Sequence, residues 1–145
     1  MVFAGTNYLA IVIATVVAWI SGAVWYHGLT RPWLAAQGKT IEQFRAERAA
    51  TAGRPAAYLP FVIVFVAELI MAWVLAGTLG HLGPGQVTLR NGIITAVFLW
   101  LGFVITTIAV NYTFSGRSPL LMALDGGHWL LVMLLMGAII GWMGV

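Results

Sequence analysis

The sequence contains no cysteine. That removes disulfide frameworks, thiolate metal sites and thiol nucleophiles together, and leaves the redox compartment open. Charge is nearly as scarce: Asp, Glu, Lys and Arg make up 8% of the 145 residues, against about 25% in soluble domains. A water-exposed surface cannot be built from so few. His27, His81 and His128 lie on separate elements, without the H-x-x-x-H or H-E-x-x-H spacing of a zinc helix. Haem ligation needs two axial groups at matching depth, and His27 lies too near the interface to partner His128. Gly83-Pro84-Gly85 is too short and too generic for a phosphate loop, and nothing marks a nucleophile. No catalytic residue, metal ion, cofactor or nucleic-acid partner is therefore expected.

What is present is apolar. Hydrophobic residues reach 61%, and the seven Trp favour a membrane–water boundary, where an apolar ring can keep its N–H wet. Residues 7–28 carry no Lys, Arg, Asp or Glu and are long enough to cross a hydrocarbon core of ~30 Å. A cleaved signal peptide is the rival reading; no basic residue precedes the run, and it is long for such a segment. Residues 58–79 form a second crossing, interrupted only by Glu68, and Gly80, Gly83, Pro84 and Gly85 end it in a tight loop. A third covers 91–113. The fourth, 119–143, opens on Ser118-Pro119, an N-cap residue followed by proline where its missing N–H costs nothing. The expected fold is all-α, an integral membrane bundle of four transmembrane helices in one domain spanning 1–145.

The one long connection, 30–57, contains Thr40-Ile41-Glu42-Gln43, a capping box that opens a short amphipathic helix to about Ala50. Ile41, Phe44, Arg48 and Ala52 fall near one face. The helix either lies on the membrane surface or is an ordinary solvated connector. Arg31, Lys39, Arg45, Arg48 and Arg54 occupy this connection and Arg117 the third, whereas the second holds only Arg90. Basic connections stay in the cytoplasm, so 30–57 and 114–118 are expected there, with both termini periplasmic.

Small residues let helices approach closely in lipid. Ala10, Ala14, Ala18 and Gly22 form one stripe, Gly137 and Gly141 another, and the third crossing offers Gly92 and Ala96. They serve packing within the chain or pairing between chains.

Glu68 falls roughly 15 Å into its helix, where an ionised carboxylate costs on the order of 2.5–3.5 kcal/mol, so it should face inward and either pair or be neutral. Asp125 and His128, at i and i+3, share a face. Counting from the helix start puts His128 roughly 13 Å deep, near Glu68 in height. Asn111, Thr106 and Thr107 come from the third helix. These residues make one candidate polar cluster opening towards the cytoplasm. The competing reading is structural: Thr hydroxyls bonding their own helix, and Glu68 with His128 fixing helix register. Trp25, Tyr26, Arg31, Trp33 and Arg117 stand at headgroup height, as interfacial anchors or contacts to an anionic lipid phosphate.

Asn7-Tyr8-Leu9-Ala10-Ile11, Gly22-Ala23-Val24-Trp25-Tyr26, Trp33, Met71-Ala72-Trp73-Val74-Leu75, Trp100-Leu101-Gly102-Phe103-Val104, Asn111, Phe114 and Gly116-Arg117 succeed one another along the chain. Together they resemble the small bacterial membrane family called domain of unknown function 1761 (DUF1761). The likeness covers essentially the whole chain. His128 falls where such proteins often carry a Tyr-His or similar pair; here Gly127 precedes it, a departure from that pattern. The resemblance implies four inner-membrane helices and no established activity. Two functions are expected in turn: an accessory subunit working through helix contacts with itself or a larger membrane complex, or a small carrier or binding protein for a proton, small molecule or lipid that uses Glu68, Asp125 and His128. The bilayer is the one partner both readings share.

Overall fold

The computed structural model describes residues 2–145, and it is all-helical. The elements are α1 (Tyr8–Gly28), α2 (Thr30–Ala36), α3 (Ile41–Thr51), α4 (Leu59–Gly80), α5 (Leu89–Leu99), a π-turn (Trp100–Val104), α6 (Ile105–Phe114) and α7 (Pro119–Met143). Helix α5, the π-turn and α6 run on as one 26-residue helix, so four helices are long and apolar enough to cross a membrane. A helix long and apolar enough to cross a membrane stands at each of the four expected positions, and a helix opens at Ile41 in the first connection as expected.

Local chemistry sets the ends. Asn7 accepts from the Ala10 amide at 3.1 Å to open α1. Ser118 accepts from Leu121 at 3.1 Å to open α7, with Pro119 behind it. Thr88 caps α5 through the Asn91 amide at 3.3 Å, which starts that helix two residues before the expected position. At α3 the capping box is complete: the Gln43 amide donates to Thr40 Oγ1 at 3.2 Å, and the Thr40 amide donates back to Gln43 Oε1 at 2.9 Å. No residue of α3 is buried. The helix is tied to the bundle through an edge contact of Phe44 on Trp33, 6.5 Å between centroids.

Helix α7 is the hub, packed by α1 on one side and α5 on another, with α4 against α1. The small residues make this possible. Ala10, Ala14 and Ala18 are fully buried. A Cβ on Gly92 would run into the Gly137 carbonyl, one on Gly137 into the Gly92 carbonyl and, at 2.9 Å, the Ala96 methyl, and one on Gly141 into Thr88. Both stripes are thus filled inside a single chain. Large apolar side chains line the outside, among them Phe98, Phe103 and Phe114, the last 89% exposed. An exposed apolar belt is what lipid contact requires.

Candidate functional site

Asp125 lies six residues into α7, and three elements converge on it. The Tyr26 hydroxyl at the end of α1 donates to Oδ1 at 2.8 Å, and the Trp33 indole N–H of α2 donates to the same oxygen at 3.2 Å. The Tyr112 hydroxyl of α6 donates to Oδ2 at 2.7 Å. Helix α2 is brought there because only Leu29 separates it from α1, so the chain continues downward beside α7. The Ser118 hydroxyl then donates to the Ala36 carbonyl at 2.9 Å and fixes its far end. An open cleft of about 300 Å³ adjoins the carboxylate, lined by Trp33, Gln37, Asn111, Tyr112, Ser115, Arg117, Leu121 and Asp125.

The third crossing needs its π-turn to complete this site. Gly92 and Ala96 must face α7 at one end, and Tyr112 at the other. In an unbroken α-helix the twenty residues from Gly92 to Tyr112 would place them about 200° apart around the axis. The Ile105 amide instead donates to the Trp100 carbonyl five residues back. The extra residue in that turn rotates the remainder of the helix by about 100° and swings Tyr112 towards Asp125. The Trp100 indole N–H reaches the Gly126 carbonyl at 2.9 Å, and Ile105 fills the space a Cβ on Gly126 would need.

His128 stands one turn further into the bundle. Its ring lies 4.9 Å from Tyr26, 5.1 Å from Trp129 and 6.3 Å from Trp25, centroid to centroid. Gly22 opposite has no side chain, and a Cβ there would come 3.0 Å from His128 Nε2. Both ring nitrogens, and the Trp25 indole N–H, are buried without a hydrogen-bond partner.

Glu68 is elsewhere. The Trp19 indole N–H donates to the Phe61 carbonyl at 3.3 Å and the Ala4 amide to the Gly80 carbonyl at 3.0 Å, which sets the register of α4 against α1. Glu68 then comes level with about Ala14, whereas His128 is level with Gly22 to Tyr26. Eight residues of rise put the two roughly 12 Å apart along the bundle. Counting each helix from its own start predicts equal depth. That count fails because α7 begins beside Ala36, beyond the end of α1, while α4 begins level with about Ala23. Glu68 is fully buried, and neither carboxylate oxygen has a hydrogen-bond partner.

The predicted cluster therefore divides. Asp125 and Asn111 adjoin the cleft, His128 lies above it, and Glu68 is separate. Thr107 and Thr106 are exposed and bond the Phe103 and Gly102 carbonyls of their own helix, at 2.5 and 2.9 Å, so neither joins the site. Among the predicted anchors, Tyr26 and Trp33 hold Asp125, Arg117 lines the cleft, Trp25 rests on His128, and Arg31 is exposed. Tyr112, Gln37 and Ser115 escape sequence reasoning. One signal for Tyr112 is present in the chain: it and Asp125 stand equally far from the Ser118–Pro119 turn, so an antiparallel pairing brings them level.

Among the described residues no three His, Asp or Glu side chains come together as metal ligands would. No curated protein and no solved structure matches the chain. A family model described as a protein of unknown function, DUF1761, matches residues 9–141, nearly the entire length, and the chain belongs to that family.

Proposed function

We propose that this chain is a membrane-embedded binding protein, or the binding element of a small carrier, that receives a small polar ligand at Asp125. One observation carries the reading: a single carboxylate at the wall of an open cleft is held by hydroxyl and indole donors from α1, α2 and α6. Three hydrogen bonds from three separate elements fix the direction of this acidic group. The cleft, about 300 Å³, is at the small end of ligand sites, which run from about 300 to 1,000 Å³. The accessory-subunit alternative draws on the small-residue stripes, the short loops and the lack of a chemical motif; of these, the stripes are occupied within the chain.

We place the cleft on the cytoplasmic side of a bacterial inner membrane. Six Lys and Arg in the 30–57 and 114–118 connections, against one, Arg90 in the first turn of α5, at the opposite end of the bundle, support that orientation, with both termini periplasmic.

The test is a thermal-shift screen of the purified protein in mild detergent against small amines, amino acids and phosphorylated compounds, beside Asp125→Asn. At least one compound class should stabilise the natural protein and leave a folded Asp125→Asn variant unmoved. A natural protein that no compound shifts would refute the assignment.

A further inference from the structure

We infer that the ligand of the Asp125 cleft is an amine–phosphate zwitterion of the phosphoethanolamine type, its ammonium on Asp125 and its phosphate at Arg117. It is supplied either as the headgroup of a membrane lipid or as the free compound. This rests on the binding reading above and specifies its chemistry.

The donors on Asp125 are two phenols and an indole. All are neutral. No Lys, Arg or His bonds it, and the one ion pair among the described residues is Lys39–Glu47 at 2.8 Å, on the exposed connection. The carboxylate is therefore oriented without being neutralised by a side chain. It offers about four acceptor positions, of which three are filled, leaving one at Oδ2. A primary ammonium suits that remainder, as a compact cation with N–H groups to give.

Arg117 supplies the opposite charge. It lines the same cleft, is exposed, and its guanidinium makes no hydrogen bond or ion pair among the described residues. A guanidinium is suited to the paired oxygens of a phosphate, and Asn111 and Ser115 beside it add neutral donors. A simple cation entering the cleft would be repelled by Arg117, and a simple anion by Asp125. A ligand carrying both charges is repelled by neither. Asp125 lies roughly 9 Å along α7 from Pro119, and Arg117 precedes that helix. The cleft they share admits a ligand whose two charges stand several bonds apart, as in phosphoethanolamine. The cleft also sits at the end of the bundle where the basic residues gather, at headgroup height.

The experiment is native mass spectrometry on the full-length protein after detergent exchange and incubation with equimolar phosphatidylethanolamine, phosphatidylcholine and phosphatidylglycerol. A parallel calorimetric titration uses free phosphoethanolamine. The natural protein should retain phosphatidylethanolamine on the order of tenfold over the other two, because choline has no N–H and glycerol no charge. Arg117→Gln should weaken that retention by about the same factor, and Asp125→Asn should abolish the preference over phosphatidylglycerol. Calorimetric binding of free phosphoethanolamine, in competition with the lipid, identifies a soluble source; retention of the lipid alone identifies a membrane source. Equal retention of all three lipids with no heat from phosphoethanolamine overturns the inference, and needs no variant to fold. If instead some other compound binds and Asp125→Asn loses it, the zwitterion fails while the binding reading stands. If nothing binds, both fall.

Discussion

Deleting Gly102 should rotate α6 away from the site while leaving α5 in place. Gly102 is exposed, and a Cβ there would meet nothing within 4 Å, so its removal costs no packing of its own. It takes out the extra residue of the π-turn, and everything from Phe103 onward turns by about 100°. Helix α5 cannot follow, because Gly92 is locked against Gly137 and Thr88 against Gly141. Tyr112 therefore leaves Asp125, and Ile105 leaves the notch at Gly126. The lost hydroxyl–carboxylate bond, 2.7 Å and half-buried, is worth about 1.5 kcal/mol, at the low end for a charged partner. Withdrawing Ile105 adds roughly 1 kcal/mol. The assay is reversible unfolding in mixed detergent–dodecyl sulfate micelles, arranged as a double-mutant cycle with Tyr112→Phe. Tyr112→Phe should cost about 1.5 kcal/mol in the natural background and nothing once Gly102 is gone. Trp100→Phe, which removes the bond to the Gly126 carbonyl ahead of the deletion, should cost about 1 kcal/mol in both. An equal cost of Tyr112→Phe in the two backgrounds would refute the idea that the π-turn aims α6.

Gly137→Val puts a branched side chain against the Gly92 carbonyl and the Ala96 methyl; backbone cannot move aside as a side chain can, so the same titration should read a loss at or above about 3 kcal/mol, and a loss under about 1 kcal/mol would mean that α5 and α7 are not in close contact. Glu68→Leu replaces a buried carboxyl without partners by an apolar group, and stability should hold or rise by about 1 kcal/mol or more; a clear loss would point to a partner for Glu68 that the fold does not show. Since the chain has no cysteine, single cysteines at Arg45 and at His81 report sidedness unambiguously: an impermeant maleimide added outside intact bacterial spheroplasts should label the second and spare the first, and the reverse pattern would invert the proposed orientation. Gly22→Ala places a methyl 3.0 Å from His128 Nε2, which displaces the ring at a cost of about 1 kcal/mol or less, visible as a shift of the His128 imidazole resonances; unchanged resonances would contradict the contact.

Sequence alone determined the parts of this protein that depend on nearest neighbours and on solvent. Four charge-poor runs had to be helices if lipid surrounds them, because only a helix satisfies its own backbone there. Ser118-Pro119 and Thr40 through Gln43 marked their helix starts by chemistry confined to four residues. The small-residue stripes were legible as contact faces, since the spacing of Ala10, Ala14 and Ala18 needs only the helical period. Which helix each stripe would meet was not legible, and neither was the site. Asp125 draws its partners from positions 92, 99 and 13 residues distant, and that convergence depends on quantities no local pattern encodes: where α7 begins relative to α1, the continuation of α1 into α2, and one extra residue in the third crossing. The same relative offset separates Glu68 from His128, although the two stand at equal distances from their own helix starts. Rise and rotation along a helix are properties of the covalent chain; the offset and phase between helices arise only when their surfaces interlock, and on this bundle those two quantities place the carboxylate in its cleft.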